Sequence, residues 1–217
     1  MAQKSRYLVA IFVVAALIPV SASAAAPVRV LTGSTPDARI MPSNQYTVPD
    51  SAQITGRRVN LPVPTCDPTN SSTCDDLRLL NLQDGFDLRP RVTVPFSGPI
   101  DISTVSDTNL FVIGPNGFRT PLTQLVWDPS TNVLAGEPSD FLTEATTYAV
   151  VVTGGIKDPA GSSVTACDGA CVSLFTTETA TPELAKLRGA LDSGSAYSVA
   201  EITPPERSAT FLHGGPG

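Results

Sequence analysis

The chain has 217 residues, of which 41% are hydrophobic and 16% charged, with a formal net charge of −6, 16 Gly and 20 Pro. The hydrophobic share excludes disorder of the whole chain, and proline well above its usual ~5% disfavours long helices, because one in a helix interior costs ~3 kcal/mol. Eleven Arg and three Lys stand singly except for Arg57-Arg58, so no basic stripe is offered to nucleic acid; one histidine, His213, excludes a His-based metal cluster or a mid-chain Ser/His/Asp triad.

Lys4 and Arg6 precede the apolar run from Tyr7 to Val20, followed by Ser21-Ala22-Ser23-Ala24. Charge, apolar stretch and small residues in that order predict a secretory signal peptide over 1–24, cut between Ala24 and Ala25. The apolar run is shorter than the ~20 residues that span a bilayer and carries Pro19, so no membrane span is expected after cleavage. Removal of 1–24 takes Lys4 and Arg6 with it and leaves a charge of −8: an acidic, exported chain, secreted, periplasmic or at the cell surface.

Export puts Cys66, Cys74, Cys167 and Cys171 in an oxidising compartment, where an even count reads as disulfides. Three pairings are open to four cysteines, and the short separations, with turn formers between each close pair, favour 66–74 and 167–171. A four-cysteine zinc site is the alternative, but C-x7-C and C-x3-C match no common finger. No metal or other cofactor is expected.

Residues 25–86 contain Pro27, Pro36, Pro42, Pro49, Pro62, Pro64 and Pro68 and read as an extended, Pro-rich arm, parts of which dock on another surface. From residue 87 the texture changes to short strand-like runs: 91–96, 109–113, 122–127, 133–135, 148–153 and 172–176. Turn chemistry separates them, as in Asp158-Pro159-Ala160-Gly161, with Asp at i, Pro at i+1 and Gly at i+3 of a type I turn. Such a run of strands with no helix between them predicts an all-β, antiparallel sandwich over 87–177. Pro95 lacks an N–H to give a ladder and is expected at an edge or bulge. Trp127 and Phe111 belong to its core rather than to a ligand platform.

Residues 178–217 form a short C-terminal helical segment. Thr181 is suited to an N-cap and Pro182 to the first helical position, with Leu184, Leu187 and Leu191 on one face up to Gly194. Thr203-Pro204-Pro205-Glu206 has capping-box spacing and marks a second start. Ser193 and Ser195, beside Gly194, are helix-end and turn residues. The carboxylates Asp75-Asp76 and Asp84 with Asp87 read as solvated turn residues, since no calcium-loop spacing accompanies them.

Three ordered motifs carry a resemblance: Pro90 to Asp101 with its Val-Thr-Val-Pro-Phe-Ser core, Ala145 to Gly161 with Val-Thr-Gly-Gly-Ile-Lys-Asp-Pro-Ala-Gly, and Phe175-Thr176-Thr177. They resemble a bacterial Ig-like domain of the surface-layer-protein type, which implies an Ig-like β-sandwich. Further, Asn44 to Asp50, Thr55 to Pro62, Asp84-Gly85-Phe86 and Leu184 to Arg188 are similar to the N-terminal region of secreted bacterial lipases of the virulence-factor type. That likeness implies a C-terminal α/β-hydrolase domain in cis, whose Gly-x-Ser-x-Gly elbow occurs nowhere in these 217 residues.

The tail His213-Gly214-Gly215-Pro216-Gly217 is similar to the oxyanion loop of some α/β-hydrolases; the alternative reading is a frayed Gly/Pro end. No residue present is expected to be catalytic. The expected function is a non-catalytic structural or interaction module, the N-terminal domain of a secreted lipase-like protein; the alternatives are a truncated secreted lipase or esterase and a free-standing adhesin.

Overall fold

A computed structural model describes residues 26–192. The signal segment 1–24, Ser193, Ser195, the second helix start at Thr203 and the tail 213–217 lie outside the described residues.

In chain order the elements are β1 (Thr47–Pro49), β2 (Arg57–Val59), α1 (Ser71–Leu80), β3 (Val92–Pro95), β4 (Leu110–Ile113), β5 (Arg119–Asp128), β6 (Val133–Pro138), β7 (Thr147–Thr153), β8 (Ala170–Thr176) and α2 (Thr181–Asp192). Every pairing between these strands is antiparallel, β1 with β2 and the other six in the order β3-β6-β5-β4-β7-β8.

β5 makes this one ladder into two layers. Its first three residues pair with β4 through Arg119–Pro121, and the rest of the strand with β6 through Leu122–Thr123 and Val126–Asp128. The register breaks between Thr123 and Val126, where Gln124 takes a left-handed φ of 52°. A bulge there adds local twist to the strand, and β5 is where pairing passes from the group of β4, β7 and β8 to that of β3 and β6. Side-chain alternation then fills the space between: Val92 and Val94 of β3, Leu134 of β6, Val150 and Val152 of β7, and Phe175 of β8 are all buried. Each such side chain contributes roughly 1.5–3 kcal/mol by leaving water. Phe111 is also buried, and Trp127 packs partly buried with its ring edge-on to Phe96 at 6.0 Å.

Pro95 sits in β3, the last strand of its layer. On the outer side of β3 the arm supplies the missing neighbour. Met41 and Thr93 exchange both backbone hydrogen bonds, at 2.9 and 3.0 Å, and Leu31 N donates to the Pro95 carbonyl at 2.9 Å. Val30 and Ile40, from the same arm, are buried in the sandwich core.

The arm also departs from an extended reading. Residues 71–80, placed partly among turn formers by sequence, are the helix α1. Asn70 organises the turn before it: its Oδ1 accepts from Asp67 N and its Nδ2 donates to the Thr65 carbonyl. Asn81 ties the far end back to the arm, accepting from Leu61 N and donating to the Leu61 carbonyl. Ser, Thr and Asn bond locally to backbone at turns and at helix starts alike, so residue type alone does not separate the two.

Candidate functional site

The sulfurs of Cys66 and Cys74 are paired, as are those of Cys167 and Cys171, with Cα–Cα distances of 6.1 and 5.0 Å; no free cysteine occurs among the described residues. The first bridge anchors α1 through the fully buried Cys74. The second closes the turn that leads into β8. Neither pair meets the other, since one lies in the arm and one in the sandwich.

Two places combine polar groups with shape. The first is the junction where the chain leaves the sandwich. Phe86 N donates to the Thr176 carbonyl and Glu178 N to the Phe86 carbonyl, so the end of the arm runs alongside the end of β8. Thr177, fully buried, donates its hydroxyl to the Thr143 carbonyl at 2.7 Å. Asp84 accepts from Thr179 N at 2.9 Å and from its hydroxyl at 2.7 Å, and the Glu144 carboxylate accepts from the backbone N–H and hydroxyl of Thr181. Asp84 is thus buried and bonded rather than a solvated turn carboxylate. Gly85 is required here, because a Cβ would stand 2.6 Å from Glu178 N and from the Thr177 carbonyl carbon. Burial, and then the carboxylates of Asp87, Asp84 and Glu144, push the Glu178 carboxyl above its ordinary range.

Of the other carboxylates singled out from sequence, Asp75 pairs with Arg78 at 2.8 Å on the exposed side of α1. Asp87 accepts from Arg89 N at 2.6 Å. No group of His, Cys, Asp and Glu among the described residues could hold a metal ion.

The second place is a cleft of about 400 Å³ between the arm and β8. Its walls are Arg39, Asn44 and Arg57 on the arm side and Val172, Ser173 and Leu174 on the other, with no carboxylate among its lining residues. Ser173 stitches the floor, its hydroxyl lying 3.0 Å from the Ile40 carbonyl and 2.9 Å from that of Pro42. Asn44 Nδ2 donates to Thr176 Oγ1 at 3.1 Å, and Arg57 Nη1 to Thr47 Oγ1 at 3.0 Å. Among the described residues, two buried polar atoms have no hydrogen-bond partner: Arg39 Nε and Asn44 Oδ1. Sequence inspection notes Arg57 as half of an Arg pair and, like Asn44, within segments that carry a family resemblance, and does not mark Arg39, because the cleft joins segments about 130 residues apart.

No helix among the described residues is long and apolar enough to cross a membrane. No curated protein matches the chain. Among solved structures it is similar to surface layer protein SbsC, domains 1–6, with 16% identity and a TM-score of 0.35, covering 52% of this chain and 17% of that one. It is also similar to the N-terminal part of the bacterial S-layer protein SbsC, with 17% identity, a TM-score of 0.34 and coverage of 49% and 27%. The chain therefore spans 17% to 27% of the length of those structures. The sequence pattern of the bacterial Ig-like domain matches residues 68–177, which takes in α1 and runs to the residue after β8. With half of its length so matched, and with antiparallel strands in two layers over that span, the chain belongs to the bacterial Ig-like domain family.

Proposed function

We propose that this chain acts as an exported, non-catalytic structural and interaction module, the N-terminal domain of a secreted lipase-like protein with a hydrolase domain following in cis. The observation that carries the reading is the exit junction. Residues 177–181 are bonded to the arm through Asp84 and to the sandwich through Thr143 and Glu144, so whatever follows leaves from a fixed point and direction. A spacer needs that property, and a domain that merely precedes another does not. Membership in the bacterial Ig-like domain family, two bonded cysteine pairs and the leader-like N-terminus support export.

Expression of the full chain with its own leader in a bacterial host tests this. The exported product should begin at Ala25 and leave p-nitrophenyl butyrate unhydrolysed above background. Hydrolysis by the purified chain would overturn the non-catalytic reading. In the native gene, an open frame past codon 217 encoding Gly-x-Ser-x-Gly is the result expected for the lipase context; a frame continuing into an unrelated domain would sink that part.

A further inference from the structure

The free edge of β8 and the unpaired polar groups beside it form a built site. The backbone of β7 alternates: Thr153 bonds toward β4 through Asn109, whereas Thr146 bonds toward β8 through Thr177. Carried along the register, that alternation gives the inward positions of β8 to Cys171, Ser173 and Phe175 and turns the N–H and C=O groups of Val172 and Leu174 outward. No described residue bonds those outward groups through its backbone. Natural sheets blunt such edges with Lys, Pro or a covering segment. Ala170–Thr176 has neither Lys nor Pro, and the side chains of Val172 and Leu174 are 57% and 55% exposed.

The cleft beside this edge supplies charge. Arg39 and Arg57 line it, neither forming an ion pair with any described carboxylate, and in a chain of net charge −6 no lining residue is acidic. Arg39 Nε is a buried donor without an acceptor and Asn44 Oδ1 a buried acceptor without a donor. Buried polar groups in native proteins are nearly always satisfied, so these two mark the arm wall of the cleft as under-bonded.

We propose that this cleft binds an extended acidic peptide strand of a partner protein, its main chain pairing with Val172 and Leu174 along the β8 edge and an Asp or Glu side chain entering between Arg39 and Arg57. The carboxylate meets the guanidinium groups of Arg39 and Arg57 where these residues line the cleft. Main-chain pairing gives the affinity of this mode of recognition and the side-chain subsite its selectivity, while a charge-assisted guanidinium–carboxylate contact is the stronger kind of hydrogen bond.

The test is a titration of the full chain with two acetylated, amidated hexapeptides, Thr-Val-Asp-Val-Thr-Val and its Asn counterpart, read by amide shifts and by calorimetry. The Asp peptide should move the Val172 and Leu174 amides and bind about tenfold tighter than the Asn peptide, the discrimination expected of one charged contact. Arg39→Gln should erase that preference. Val172→Pro, which removes an outward N–H at an exposed edge position where proline is tolerated, should abolish binding of both peptides with the circular dichroism unchanged. Sodium acetate should leave the Val172 and Leu174 amides unmoved. Silence from both peptides, equal affinity for the two, a preference that survives Arg39→Gln, or an acetate response equal to the peptide's would each overturn the proposal.

Discussion

The two edges of the sandwich are treated in opposite ways. At β3 the chain places Pro95 in the strand and then lays its own arm alongside, with Leu31 and Met41 bonded to the strand backbone and Val30 and Ile40 sunk into the core. At β8 the arm pairs by backbone only at the strand's end, Phe86 N to the Thr176 carbonyl; elsewhere it touches the strand through side chains, Ser173 to two arm carbonyls and Asn44 to Thr176, and leaves the backbone of Val172 and Leu174 unpaired. An edge closed along its length by backbone pairing is part of the fold, whereas one paired only at its end keeps room for another strand. The difference teaches that the arm is structural on one flank and a wall of a cleft on the other.

The comparison breaks first at Ile40. If the arm closes the β3 edge as part of the core, Ile40→Ala lowers unfolding stability by about 2–5 kcal/mol in chemical denaturation; a loss below about 1 kcal/mol would make the arm an ornament. Gly85→Ala should cost about 1–3 kcal/mol, since its Cβ meets backbone that must shift, and the loss should appear as earlier proteolysis near residues 177–181. On the open flank, Leu174→Lys should change stability by no more than about 1 kcal/mol, as an exposed position outside the core.

The smallest effect is electrostatic. Glu178 has a folded-state pKa raised by burial and by Asp87, Asp84 and Glu144. The folded protein then holds this proton more tightly than the unfolded chain, so stability falls as pH rises from the ordinary Glu value of about 4.3 through the raised one, and the penalty is full above it. Glu178→Gln should therefore raise Tm at pH 7 by less than about 2 °C, because the carboxyl is partly solvated, and the gain should vanish near pH 4.

The strands of the sandwich were legible because alternation writes burial directly into sequence: Cys171, Ser173 and Phe175 face in while Val172 and Leu174 face out. Pro95 announced its edge by lacking an N–H. What pattern could not carry was non-local. Ile40 and Arg39 are neighbours in sequence with opposite fates, one in the core and one at a cleft, and that follows only from where the arm lies. The helix α1 hid behind Asp67 to Thr73, residues as fit for turns as for helix starts, with Leu79 and Leu80 left exposed and so giving no clean apolar face. Asp84 looked like a turn carboxylate because its partner, Thr179, is 95 residues away.

Amide hydrogen exchange across the two edges tests the central claim most directly. The Leu31, Met41 and Thr93 amides, each bonded to a strand or arm carbonyl, should exchange slowly and together, on the scale of global unfolding, whereas the Val172 and Leu174 amides should exchange near intrinsic rates. Equal protection at Val172 and Leu174, or fast exchange at Met41, would contradict a sandwich with one edge sealed by its own arm and one edge open.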